Sequence, residues 1–128
     1  MWIKPDFRCE FGKNISIGNN VYINLGCIIL DCAEVIIGNH VLIVPSLGIY
    51  AVNHGFDPEE RIAGACMGTP VYIEDNVWIS GDVKILAGVT IGEGSIIGGW
   101  QHCYKKHSSK SYRRWEPMQG NPSNYKRK

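Results

Sequence analysis

The sequence predicts an all-β fold, a parallel β-helix built from hexapeptide repeats with one protruding loop at about residues 52–70, and three observations carry that expectation. The first is period: isoleucine recurs at 17, 23 and 29, at 37, 43 and 49, and at 73, 79, 85, 91 and 97. The second is composition within the period. Units such as IGNNVY, IGNHVL, IEDNVW and ILAGVT put an aliphatic residue first, often Gly, Asp or Asn second, and a small or β-branched residue fifth. Six is not a helical period, and glycine at this density would cost a helix about 1 kcal/mol per residue. Three strands and three turns of six residues instead make one triangular coil, whose isoleucines stack on those of the next coil. Gly and Asn accept the turn conformations that other residues resist. The step from Ile73 to Ile91 is the 18 residues of one coil, whereas Ile17 to Ile37 is 20, so a turn near Ala33 to Val35 must absorb two extra residues. The third observation is the break: between Ile49 and Ile73 the segment HGFDPEERIAGACMGTP keeps no repeat.

A chain of 128 residues, 45% hydrophobic and 20% charged, is one globular domain and not a disordered segment. It has no apolar run of the roughly 20 residues that span a bilayer, and the start MWIKPDFRCEFG lacks the apolar centre of a secretion signal, so no membrane association and a cytoplasmic location are expected. Five cysteines without paired ligand spacing argue against a disulfide framework or a zinc site; they are expected to be reduced and mostly buried. The net charge of +1 is divided unevenly. Residues 1–99 hold five basic and eleven acidic residues, and residues 100–128 hold eight and one, giving −6 and +7. A solenoid also leaves flat outer faces that pack on further copies, and Val21, Leu25 and Ile28 are candidates for such an interface.

The broken segment carries His54, in the stretch YAVNHGFDPEER. An imidazole titrates near neutral pH and suits removal of a proton from a hydroxyl. A polar residue capping a strand end where a loop departs explains the same histidine, and the residues by themselves leave both readings open.

WIKPDFRCEFGKNISIGNNVYIN, ILD, IGNHVLI, NHGFDPEER, PVYIEDNVWIS and ILAGVTIGEGSIIGG together resemble the maltose and galactoside O-acetyltransferases of the hexapeptide-repeat superfamily, over residues 2–99. The resemblance implies a left-handed helix, a homotrimer, acetyl-CoA as co-substrate, a sugar hydroxyl as acceptor, and no metal. It makes His54 the catalytic base in a cleft between subunits. It places Tyr22 and Asn24 in the acceptor site and Asp31 at or next to a further sugar-binding position, where Cys32 stands instead of a second aspartate. Asp6 and Arg8 match an entry segment of the acceptor site, or else cap the open end of the solenoid. On the acetyl-CoA side it places Trp78, Gly81 as an oxyanion donor, and Gly99; the alternative for Trp78 is an exposed packing residue on a coil face.

The chain departs from that pattern at both ends. The family opens with a helical segment of some fifty residues, and here Met1 precedes Trp2, so the acceptor pocket is expected to lack that segment's share. After Gly99 there is no Ile, Leu, Val, Ala or Phe. Shifting the reading frame by one nucleotide makes Trp100–Gln101 encode Gly, Trp115–Glu116 Gly and Met118–Gln119 Cys, spaced as in the family's GNPC. Residues 100–128 are therefore expected to be an out-of-frame tail, and their charge no sign of nucleic-acid binding. Two rival readings are a metal-dependent hydratase on the same repeat, for which the body offers only His40 and His54, and an inactive remnant that merely oligomerises.

Overall fold

The computed structural model describes residues 1–64 and 67–99 in full, and the backbone of His102–Cys103 and Tyr112–Arg113. The first coil is β1 (Trp2–Ile3), β2 (Arg8–Cys9) and β3 (Ile15–Ile17); the second is β4 (Tyr22–Ile23), β5 (Ile28–Leu30) and β6 (Val35–Ile37). The third is β7 (Leu42–Ile43), β8 (Gly48–Tyr50), a loop bearing the helix α1 (Pro58–Ile62), and β9 (Val71–Ile73). The fourth is β10 (Trp78–Ile79), β11 (Lys84–Leu86) and β12 (Thr90–Ile91), followed by β13 (Ile96–Ile97), β14 (His102–Cys103) and β15 (Tyr112–Arg113).

Each strand pairs in parallel with its counterpart one coil away. Three sheets result, β1-β4-β7-β10-β13-β15, β2-β5-β8-β11-β14 and β3-β6-β9-β12. This is the left-handed parallel β-helix that the repeat and the resemblance implied. Register explains the period. Ile3, Ile23, Ile43, Ile79 and Ile97 align in the first sheet, Ile29, Ile49 and Ile85 in the second, and Ile17, Ile37, Ile73 and Ile91 in the third. From the second coil on, every one of these isoleucines has at most 1% of its surface exposed. At about 25 cal/mol per Å² of apolar area, stacking these ladders is the main source of stability.

Two expectations need correction. Val21 does not face outward: it is 1% exposed and packs inward beside Ile23, because the fifth hexad position, two before the isoleucine, also points into the triangle. Leu25 and Ile28 do face solvent, at 49% and 37% exposure. Of the three described cysteines only Cys27 is buried; Cys9 is exposed and Cys32 half-buried. Cys9 aligns with inward Ile29, yet it belongs to the first coil, which has no described coil below it. The expectation that residues 100–128 are an out-of-frame tail falls outside the described residues, apart from the pairing of the β14 and β15 backbones.

The corners follow a rule of their own. At the corner after the third sheet, Asn20, His40, Asn76 and Gly94 stack with φ between 56° and 75°, the left-handed region that Asn and Gly tolerate. One residue earlier, Asn39 Oδ1 accepts the Asn19 N–H at 2.8 Å and Asp75 Oδ1 accepts the Asn39 N–H at 2.7 Å. These oxygens lie where a Cβ on Gly18 or Gly38 would stand. Glycine there makes room for a ladder of side-chain acceptors between coils. Gly38→Ala is expected to displace Asp75 and lower stability by about 1–3 kcal/mol, a cost typical of overpacking, read as a lower melting temperature.

Candidate active site

The loop leaves the helix at the corner between the second and third sheets. Ala51 still bonds within the solenoid, its N–H to Leu30 O at 3.0 Å and its carbonyl accepting from Ala33 at 3.1 Å. Two residues on, Asn53 and Met67 form an antiparallel bridge with N···O distances of 2.6 and 3.1 Å, so the two arms of the loop are joined at its base. Asn53 Nδ2 also donates to Thr69 Oγ1 at 3.3 Å. Beyond the bridge, Asp57 caps α1 by accepting the Glu59 N–H, with Pro58 starting the helix. The signal for this helix was present in DPEE, an N-cap Asp, a proline in the first turn and acidic residues after it. Five residues are too few to show a helical period, so residue order alone reads as plain loop here.

His54 stands just outside the bridge, exposed, on the wall of a depression of about 470 Å³ that Asn53, Gly55, Phe56, Asp57, Glu60 and Met67 complete. Gly55 is buried: a Cβ on it would meet the Cβ of Glu60 at 2.8 Å. Arg61 Nη1 donates to Gly55 O at 3.1 Å and Phe56 O at 2.9 Å, fixing the backbone that follows the histidine. These holding groups were not singled out from the sequence, since a side chain bonding to a backbone carbonyl leaves no pattern in residue order.

The other expected site residues fall elsewhere. Asp31 lies at the same corner as the loop, one coil below, with no exposed surface. Its carboxylate accepts the N–H groups of Phe11 at 2.9 Å and Asn14 at 3.1 Å, while Asn14 Nδ2 donates to its carbonyl at 2.8 Å. Burial acts to raise its pKa, but the N–H groups of Phe11, Gly12 and Asn14 outweigh that and hold the carboxyl below its usual range. Within one chain Asp31 is thus a clamp on the turn below it.

Asn24 and Gly81 share a different corner, after the first sheet, on the second and fourth coils. Asn24 Oδ1 accepts the Leu25 N–H at 2.8 Å, and its carbonyl accepts the thiol of Cys27 at 3.3 Å. Burial pushes that thiol's pKa up and keeps it neutral. Gly99 stacks over Gly81, where a Cβ would approach the Gly81 carbonyl to 3.0 Å. Asp6 occupies the same corner one coil below Asn24, with φ 62°. Tyr22 and Trp78 point outward from the first sheet, in one register row with Trp2, Leu42 and Ile96. Arg8 is exposed on the outer face of the second sheet.

Within a single chain, therefore, His54 and Asp31 lie at the corner after the second sheet, Asn24 and Gly81 at the corner before it, and Tyr22 and Trp78 on the outer face of the first sheet. The second sheet stands between the two corners, with strands of 3 residues that extend roughly 10 Å at about 3.3 Å per residue, whereas proton transfer needs about 3 Å. His40, the second histidine of the body, sits at the third corner as a turn residue, and among the described residues no three potential metal ligands gather.

A model of the bacterial transferase hexapeptide family, six repeats long, matches residues 70–100, the stretch that forms β9 to β13. This stretch of the chain carries the hexapeptide repeat of that family. Galactoside O-acetyltransferase of Escherichia coli (strain K12) is 40% identical over 97 residues, which are 76% of this chain and 48% of that protein. Among solved structures, a hexapeptide-repeat acetyltransferase of Vibrio cholerae complexed with acetyl-CoA superposes with a TM-score of 0.85 at 39% identity, covering 90% of this chain and 63% of that one. A maltose O-acetyltransferase of Clostridium difficile 630 gives 0.84 at 35%, covering 90% and 62%. This hexapeptide-repeat chain spans about half the length of the curated relatives it matches. No helix among its described residues is long and apolar enough to cross a membrane.

The clamp on Asp31 gives a pH test. A carboxyl whose pKa is lowered by folding contributes stability that is fully present above the unfolded value of about 3.9 and is lost as pH falls below it, toward the folded value. Asp31→Asn is expected to cost about 2–3 kcal/mol at neutral pH, the scale of lost hydrogen bonds to a charged group, and less at pH 3. Chemical denaturation at the two pH values measures the difference.

Proposed function

We propose that the chain transfers an acetyl group from acetyl-CoA to a sugar hydroxyl, in a cleft formed between copies of itself, with His54 as the general base. The observation that carries the reading is the placement of the one irregular segment. Among the described residues the solenoid releases its chain for one long loop, joins the two arms by the Asn53–Met67 bridge, and exposes an imidazole beside an open depression. The names of the relatives support acetyl transfer, and two of them support a sugar acceptor.

The chemistry needs no covalent enzyme intermediate. The neutral imidazole of His54 takes the proton of the acceptor hydroxyl as the oxygen attacks the thioester carbonyl. The resulting oxyanion is met by the Gly81 N–H, and collapse expels the CoA thiolate, which recovers the proton from the imidazolium. Trp78, 46% exposed in the outward row of the first sheet, offers an aromatic wall for the CoA arm. Tyr22, Asn24 and Asp31, with Asp6 and Arg8, are the acceptor-side candidates.

The separation of the corners makes a second copy necessary. The cleft pairs the loop corner of one protomer with the first-sheet corner of its neighbour, and three-fold closure supplies three such clefts. The outward row Trp2, Tyr22, Leu42, Trp78 and Ile96 supports association, since Trp2, Leu42 and Trp78 in it are exposed in the single chain.

His54→Ala is expected to lower kcat at least 100-fold in a thiol-release assay with acetyl-CoA and maltose, galactosides or glucose, within the range typical of general-base loss. Equal rates for the two proteins refute the catalytic reading and favour an oligomerising remnant. Mixing His54→Ala with Trp78→Ala chains after mild dissociation is expected to restore activity, because one cleft of each mixed assembly then holds both native residues. A mixture as inactive as its parts rules out the shared cleft.

A further inference from the structure

An arginine in a chain that handles an anionic co-substrate invites assignment to phosphate. Arg61 is placed otherwise. Its Nη1, which has two hydrogens, forks onto two successive carbonyls, Gly55 at 3.1 Å and Phe56 at 2.9 Å, the residues directly after His54. The residue directly before His54 is held independently by the Asn53–Met67 bridge and the Thr69 hydroxyl. The imidazole therefore hangs from a short stretch of backbone anchored on both sides.

The anchoring is circular. Helix α1 has five residues, none of them buried, too short to persist in water without outside contacts. Asp57 caps its start, the helix carries Arg61 in its last turn, and the guanidinium returns to the carbonyls just ahead of Asp57. Glu60, one residue before Arg61, packs where a Cβ on Gly55 would stand.

Resting on the reading of His54 as base, we propose that Arg61 is its positioning residue: it fixes the 55–56 backbone that aims the imidazole, and does not bind a substrate anion. Misplacing a catalytic group by about 1 Å can cost a factor of roughly 100.

The test uses the intact protein with Arg61→Met, Arg61→Lys, His54→Ala and the double variant His54→Ala/Arg61→Met. Arg61→Met is expected to lower kcat by about 10- to 100-fold with KM for acetyl-CoA unchanged, and Arg61→Lys, which keeps a charged donor, to lie between it and the wild type. The double variant is expected to be no slower than His54→Ala, since residues acting through one group are not additive. A raised KM for acetyl-CoA with kcat kept, a multiplicative loss in the double variant, or wild-type rates for Arg61→Met each overturn the proposal. Hydrogen exchange keeps the two readings separable. Faster exchange of the amides at positions 61 and 63, which bond to Asp57 O and Glu59 O, in Arg61→Met, with the solenoid amides unchanged, is expected even if His54→Ala proves fully active, an outcome that removes the base and not the clamp. Unchanged exchange in that segment overturns the clamp itself.

Discussion

Each coil must superimpose on the one below, side chain on side chain, and the whole molecule depends on that constraint. Strands in neighbouring coils are about 4.8 Å apart, so an inward isoleucine touches its counterparts above and below it at nearly the distance of closest packing. A one-residue shift within a strand would turn its inner residues outward. Irregularity is therefore confined to corners. In this chain the longer departures fall at one of them, between the second and third sheets: the two extra residues near Ala33 and the loop of about 52–70. That corner is also where Asp31 gathers backbone N–H groups from the coil beneath. The site grows from the part of the fold that tolerates insertion.

Rigidity and reach are separated by the same rule. The solenoid supplies fixed walls, with Asn24, Gly81 and Gly99 stacked at one corner by the ladder itself, while the loop at another corner gains freedom and then loses most of it to the Asn53–Met67 bridge and the Arg61 fork. A straight prism cannot bring two of its own edges together. Packing two prisms side by side can, which makes association part of the proposed chemistry and not an addition to it.

The fold was almost wholly legible in residue order, because every coil repeats the same steric demand and eleven isoleucines declare it. Errors arose where position in the solenoid mattered more than residue type. Val21 reads as a spare apolar residue until the strand shows two inward positions, and Cys9 reads as core until it proves exposed on the first described coil. The candidate site was legible at His54, whose surroundings break the period. Asp31 stands out only through the family resemblance, and its burial under the N–H groups of Phe11 and Asn14 arises from residues 20 and 17 positions away. Arg61 looked like one charge among several.

By itself the sequence determined the solenoid, the point where it opens and the histidine presented there, since those follow from a period and its interruption, both properties of residue order. Only the tertiary structure decided which corner each candidate site residue occupies, that Asp31 clamps a turn, and that Arg61 is held by two carbonyls. These are distances across coils and through side chains, and a hydrogen bond between a guanidinium and a backbone oxygen depends on where the loop turns, which no single residue's type encodes.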